Sequence, residues 1–272
     1  MVETNNSITN KIYKKLSIQI NLNGLSFCIK NSLNNTIELY QEANFDAFNK
    51  DKSIEDNLKN YFLSLSNFKD NYDEVLILHD NPMNTFVPKS LFDENYLGTY
   101  LQYHSKVFDT DYFTYDQLNN SDMVNVYVPY VNFNNFFIEQ FGSFEYKHLS
   151  TIFLNVIQEK HKNNHEKMMF VYMQKDNFQM IVLKEGKLFL HNHFSYKTKE
   201  DFIYYVLFTA EQLHLNPEDF KLKFIGDINI ESEIYQIAFN YIRHVDLCDV
   251  SEGFNSSFSD TLNRKFNLLF ST

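Results

Sequence analysis

The chain has 272 residues, 35 acidic against 24 basic side chains for a net charge of −11, and 44% hydrophobic residues that include 28 Phe and 18 Tyr. That is enough apolar surface for one large domain or two ordinary ones, which excludes a disordered chain or a disulfide scaffold, and the charge repels nucleic acid. The six glycines are never closer than 27 positions, so neither a dinucleotide fingerprint nor a P-loop is present, because both need clustered glycines for backbone to approach phosphate.

After a polar stretch over 1–14, Leu16, Ile18, Ile20 and Leu22 alternate with polar residues, and Asn23-Gly24 precedes Leu25, Phe27 and Ile29. This predicts a two-strand hairpin with a type I′ turn at Asn23-Gly24. A third strand is expected over Thr36–Glu42. Ser53 and Asp56 form a capping box ahead of the helical stripe Ile54, Leu58, Tyr61, Phe62 and Leu65, and the run VLIL within Tyr72–His79 marks a buried strand. The stretch 82–121 is irregular. A strand follows at Val124–Val128, then a helix carrying Phe133, Phe137 and Phe141 at i, i+4, i+8, and another over Leu149–Lys160.

The order then repeats. Strands are predicted at Met168–Met173, Phe178–Leu183 and Lys187–Phe194, with Glu185-Gly186 as the turn between the last two. Thr198 and Asp201 cap a helix over Phe202–His214 that is apolar almost all round, which predicts burial on two sides. A strand at Phe220–Ile225 and a helix carrying Ile234, Ile237, Ala238, Tyr241 and Ile242 complete the second unit. The expected architecture is mixed α/β: a first lobe over 15–148, a second over 149–250, and a tail over 251–272 whose structure the pattern does not type.

Two successive β-β-β-α-β-α units are the order of the ribonuclease-H-like duplication found in actin-type proteins. The segments LSIQINLNGLSFCI (16–29), FVPKSLFDENYLGTYLQY (86–103) and FIYYVLFTAEQLHLNP (202–217) resemble the Bacteroidetes domain-of-unknown-function family 3822. The resemblance covers nearly the whole chain. It implies an actin-like fold and a bacterial cytosolic setting, and it supplies no catalytic residues.

An actin-like ATPase needs an acidic, glycine-bearing hairpin in each half to organise Mg²⁺ and phosphate. The first hairpin here offers Asn21 and Gly24, and the second, Gln174 to Phe178, keeps Asp176 but has no glycine. The adenosine-side strand ends Ile225-Gly226-Asp227. One reading is therefore a degenerate nucleotide cleft using Asn21, Gly24, Asp176 and Gly226. The other is that Asn23-Gly24 is a plain turn and Gly226 leads into a helix, with no ligand. ATP with Mg²⁺ remains conceivable on the first reading, and no cofactor is expected on the second.

Other constellations are weaker. His191 and His193 share a strand face, and His161 and His165 stand at i, i+4, but neither pair has an evident third metal ligand. Asp109, Asp111 and Asp116 resemble a calcium loop without its glycine or closing Glu. Cys28 has no neighbouring His to activate it, and two distant cysteines read as reduced, packed thiols. Tyr127, Tyr130, Phe133, Phe136, Phe137 and Phe141 are too many rings for one helix face, so Phe136, off the stripe, is the expected anchor for a protein partner if exposed. No signal peptide or membrane span is read, which predicts a cytoplasmic protein. The expectation is a non-catalytic binding or scaffold module that meets a protein partner through its inter-lobe cleft or through the aromatic segment 127–141 with Tyr130, Phe133, Phe136 and Phe137; the alternatives are a degenerate ATPase or kinase-like protein using that cleft and a dimerising assembly subunit.

Overall fold

The computed structural model describes residues 11–45, 51–65, 71–103, 105–108, 110–119, 121–248 and 255–272. The first unit comprises β1 (Lys14–Ile20), β2 (Gly24–Asn31), β3 (Thr36–Asn44), α1 (Ile54–Ser64) and β4 (Glu74–His79). There follow β5 (Asn84–Pro88), α2 (Leu97–Leu101), β6 (Thr114–Gln117), β7 (Met123–Tyr127), α3 (Val131–Phe141), β8 (Glu145–His148) and α4 (Leu149–His161). The second unit has β9 (Lys167–Met173), β10 (Asn177–Lys184), β11 (Lys187–Ser195), α5 (Lys199–Gln212), β12 (Lys221–Gly226), α6 (Glu233–Tyr241) and β13 (His244–Leu247), and the chain closes on α7 (Asp260–Lys265) and α8 (Asn267–Phe270).

Two five-stranded sheets have the same plan, β3-β2-β1-β4-β8 and β11-β10-β9-β12-β13, with three antiparallel strands continued by two parallel ones. Each gains a fifth strand beyond those expected, β8 and β13, only four residues long, too short for alternation to stand out from the surrounding chain. The irregular stretch resolves into a separate sheet, β5-β7-β6, again built from strands of four or five residues.

The central strands of both sheets, β2-β1-β4 and β10-β9-β12, are buried on both faces. Leu16, Ile18, Ile20, Phe27 and Ile77 pack outward against α1 and α3, while Met169, Val171, Met180, Phe224 and their neighbours pack outward against α5 and α6. The opposite faces, with Leu78, Phe170, Tyr172 and Ile225, meet in one shared core filled by Phe153 and Leu154 of α4 and Leu268, Leu269 and Phe270 of α8. The tail at 260–270 is thus the innermost apolar wedge of the molecule; three fully buried large side chains there remove about 1.5–3 kcal/mol of apolar exposure each. Its short sequence, lacking a full helical period, hides this role.

The helix caps hold. Asp56 N–H donates to the Ser53 hydroxyl, and Thr198 with Asp201 makes the reciprocal capping box. Two expectations need correction here. Gly24 does not have a positive φ, so Asn23-Gly24 is not a type I′ turn; a Cβ at Gly24 would instead overlap the Ala43 carbonyl on β3. Glu185 (φ 54°) and Gly186 (φ 71°) do form such a turn. Helix α5 buries one side only, leaving Tyr204 and Phe208 stacked on each other in solvent.

The aromatic segment is spent inside. Phe133, Phe136 and Phe137 are buried against Phe62 and the outer face of the first sheet, and Tyr130 packs half-buried on Phe133. Phe136 is therefore not an exposed anchor; the solvent side of α3 offers Val131 and Ile138 instead.

Candidate functional site

The two sheets present the same backbone device at their facing edges. Asn21 N–H donates to the Gly24 carbonyl at 3.0 Å, and Gln174 N–H donates to the Asn177 carbonyl at 3.0 Å. Asp80 N–H reaches the Ile20 carbonyl and Asp227 N–H the Met173 carbonyl, both at 2.9 Å. The β1–β2 and β9–β10 hairpins are thus equivalent, and Asp80 and Asp227 are equivalent residues, each just past a parallel strand. Between the hairpins opens a cleft of about 450 Å³ whose walls include Asn21, Gly24, Gln174, Lys175, Asp227 and Lys265.

Of the residues expected at this site, Asn21 and Gly24 line the cleft. Asp176 does not: its carboxylate accepts from the adjacent Asn177 amide, and its carbonyl is bound by Tyr196 N–H. Gly226 lies behind the wall at the end of β12, well before α6, with φ 93° and its α-carbon packed onto the Met173 backbone. It is therefore a strand-end glycine, not a lead into a helix.

Behind the cleft wall stands a carboxylate that the sequence does not single out, hydrogen-bonded to the lining residues Gln19, Asn21 and Gln174. Asp80 is buried, and its carboxylate accepts side-chain amide N–H groups from Gln174, from Gln19 at 3.1 Å, from Gln179 at 3.4 Å and from Asn21 at 3.5 Å. Burial pushes its pKa up, and the four amides pull against that shift. Gln19 reads as a polar, solvent-facing alternate of β1, but that face looks into the space between the sheets, as do Ser17, Ser26 and Gln179, all buried. The usable signal is a run of amide side chains at strand ends that should abut the partner sheet.

Asn21 also closes its own turn. Its Oδ1 accepts the backbone N–H groups of Asn23 and Gly24, both at 2.9 Å, so two of the donors a bound phosphate would need there are already taken. The second carboxylate is different: Asp227 is half-exposed, 3.6 Å from the Lys265 ammonium, which also reaches Glu42 at 3.2 Å.

A buried polar network runs from Asp80 into the three-stranded sheet. Gln179 accepts from the Ser150 hydroxyl at 2.8 Å, Ser150 lies 3.5 Å from His193 Nε2, and His193 is 2.8 Å from Asn84 Oδ1. Asn84 donates to Asn125, Asn125 to the Thr151 hydroxyl, and Thr151 to Asp116 at 2.6 Å. Asp116 also accepts from Tyr127 OH and His148 N–H, and burial raises its pKa to about 6 against those bonds.

The histidines serve this scaffold. His79 accepts Tyr130 N–H at Nδ1 and meets Asn134 Oδ1 at Nε2, which fixes a neutral ring whose pKa burial lowers to about 4. His148, also held neutral by burial, accepts Ser150 N–H and donates to the Asn81 carbonyl. His191 and His193 do share a face, with ring centroids 5.0 Å apart, but Phe86 packs edge-on to the first. His161 ends α4 and His165 lies beyond it, so that pair shares no helix face. Asp109 lies outside the described residues, and Asp111 caps Phe108 N–H away from buried Asp116. Among the described residues no three His, Cys, Asp or Glu side chains are placed to hold a metal. Burial pushes the Cys28 thiol up to about 12, which removes it as a nucleophile.

Two sheets of one plan, joined by central helices with a cleft between their hairpins, define the actin-like ATPase fold. The sequence of residues 3–245 matches the family described as protein of unknown function (DUF3822), and the chain belongs to that family. A Bacteroides thetaiotaomicron protein with actin-like ATPase fold and unknown function is 23% identical, with 89% of this chain and 93% of that one aligned at a TM-score of 0.77. The PilM–PilN type IV pilus biogenesis complex contains a chain 9% identical, aligned over 94% of this chain and 95% of its own at a TM-score of 0.57. No protein of curated function matches the sequence. Among the described residues, no helix is long and apolar enough to cross a membrane.

Proposed function

We propose that this protein is a non-catalytic binding module built on the actin-like frame, with its inter-sheet cleft as the contact surface. One observation carries the reading: Asn21 Oδ1 holds the Asn23 and Gly24 N–H groups of the first hairpin, at the position where the fold would cradle phosphate. Its surroundings agree. Asp80 is saturated by neutral amides, and the two carboxylates that line the cleft, Asp227 and Glu42, both lie beside Lys265. A hard cation with a triphosphate wants anionic oxygen and open backbone donors, and this donor set does not fit it. A cytoplasmic setting accords with two unpaired cysteines, Cys28 and Cys248.

Calorimetric titration with Mg·ATP and Mg·ADP tests this. The expected result is no binding tighter than about 100 μM, roughly −5.5 kcal/mol, and no phosphate release. Tighter saturable binding would overturn the reading and favour a degenerate nucleotide-binding protein.

A further inference from the structure

A second, smaller cavity of about 160 Å³ lies on the far side of α4, between its last turn, β9, β12 and α8. Its floor is apolar, made by Val156, Ile157, Phe170 and Ile225, and its rim carries Lys160, His161 and Lys223 with the Cys248 thiol. Among the described residues no carboxylate lines it, in a chain of net charge −11. Asp246 neighbours Lys223 in the strand register without forming an ion pair to it.

Asn267 supplies the independent observation. It is 3% exposed, it lines this cavity, and its side-chain Nδ2 has no acceptor. One turn earlier, Arg264 Nε is likewise buried without one. A buried donor left unpaired is costly, so Asn267 Nδ2 beside a cationic rim points to an acceptor that comes from outside. The field is mainly cationic: Lys223, Lys160 and Arg264 act on the Cys248 thiol against the burial that raises it to about 11, Asp246 acts more weakly with that burial, and His161 is pushed down by burial and then by Lys223, Lys160 and Lys221.

We propose that this cavity binds a small organic carboxylate on a short apolar stem, its oxygens on Asn267 Nδ2 and the lysine rim and its stem on Ile157, Phe170 and Ile225. A bare oxyanion would satisfy the rim and leave the apolar floor dry, and an uncharged analogue would do the reverse.

Butyrate, butyramide and inorganic phosphate, titrated at constant ionic strength and followed by thermal shift and amide NMR, test the assignment on the full chain. Butyrate is expected to stabilise saturably and to move the Asn267 side-chain resonances, with phosphate and butyramide at least about tenfold weaker. Asn267→Leu is expected to abolish the butyrate response while raising the melting temperature of the ligand-free protein, since it removes an unpaired donor. Lys223→Gln, on the rim, is expected to weaken butyrate at least about threefold without altering the fold. Butyramide or phosphate matching butyrate, an unchanged affinity in both variants, or no response to butyrate would overturn the proposal.

Discussion

Asp80 and Asp227 occupy the same backbone position in two copies of one sheet plan, yet their surroundings differ completely. Asp80 is buried and ringed by four amides, whereas Asp227 stands half in solvent beside Lys265. The residue before each diverges in step. His79 is buried and anchors the start of α3 through Tyr130 N–H and Asn134, while Gly226 takes a positive φ that lets β12 close onto Met173. The hairpin side chains diverge by one methylene: Asn21 is short enough to bind its own turn, and Gln174 is long enough to reach Asp80 across the cleft. The duplication therefore conserves hydrogen-bond geometry between strands and leaves side-chain chemistry free to differ, with the first copy turned into internal scaffold.

The largest expected effect falls on Gly226. A Cβ there meets the Met173 carbonyl and amide at a φ of 93°, so Gly226→Ala should cost about 4 kcal/mol or more, read as a collapse of the urea midpoint. A loss under about 1 kcal/mol would mean the strand end relaxes freely and the two copies are less constrained than their shared ladder implies.

Asp80 comes next. Asp80→Leu leaves four amide donors, two of them buried and two at the cleft wall, without their acceptor, and a loss of about 3–4 kcal/mol is expected by chemical denaturation. Gln174→Ala should recover only part of that cost, since three donors still depend on the carboxylate. If Asp80→Leu proved neutral, the ring would be only a solvated extension of the cleft.

The acid side of the stability curve gives an intermediate effect. The folded pKa of Asp116, about 6, lies above its unfolded value, so its contribution falls as pH rises from about 4 to 6. His79 does the opposite: with a folded pKa of about 4, it stays neutral while the unfolded imidazole charges, so its contribution is lost as pH falls from about 6.5 to 4. Each slope is worth about 3 kcal/mol across its window and they nearly cancel, leaving His148, also depressed, to tip the wild type toward acid loss. Asp116→Asn should remove one slope and steepen the acid loss by about 2–3 kcal/mol between pH 6.5 and 4, measured from urea midpoints. Parallel profiles for variant and wild type would place Asp116 outside this balance.

The frame was more legible in sequence than the site. Alternation in LSIQI and apolar runs in MMFVYM and FQMIVL identify the strands because both sheets bury their outer faces under helices, where period-two hydrophobicity is read directly. The same alternation misleads about Gln19 and Gln179, whose polar side chains are also buried, since only the three-dimensional approach of the second sheet covers them. Asp80 ends a clear strand but gains its meaning from amides up to 99 positions away. The strands β5, β6, β8 and β13 and the helix α8 run to four or five residues, too few to show a period, and they earn their place by pairing and burial alone. Lobe assignments by order meet a further limit at 260–270, where α8 fills the core between both sheets instead of trailing from one.

The smallest effect sharpens the comparison most. Asp227 is the positional twin of Asp80, and its ion pair with Lys265 is exposed and shared with Glu42, so charge screening leaves little for it to contribute. Asp227→Asn should therefore change stability by under about 0.5 kcal/mol and should be insensitive to salt within that margin. The same substitution leaves Asp227 N–H bound to the Met173 carbonyl, because that bond belongs to the backbone. A large destabilisation would show that this carboxylate, like Asp80, is part of the fold, and the cleft would then have structural walls on both sides. A small one leaves Asp227 and Lys265 as the cleft's free polar surface, which is where a partner of the binding module would find charge to read.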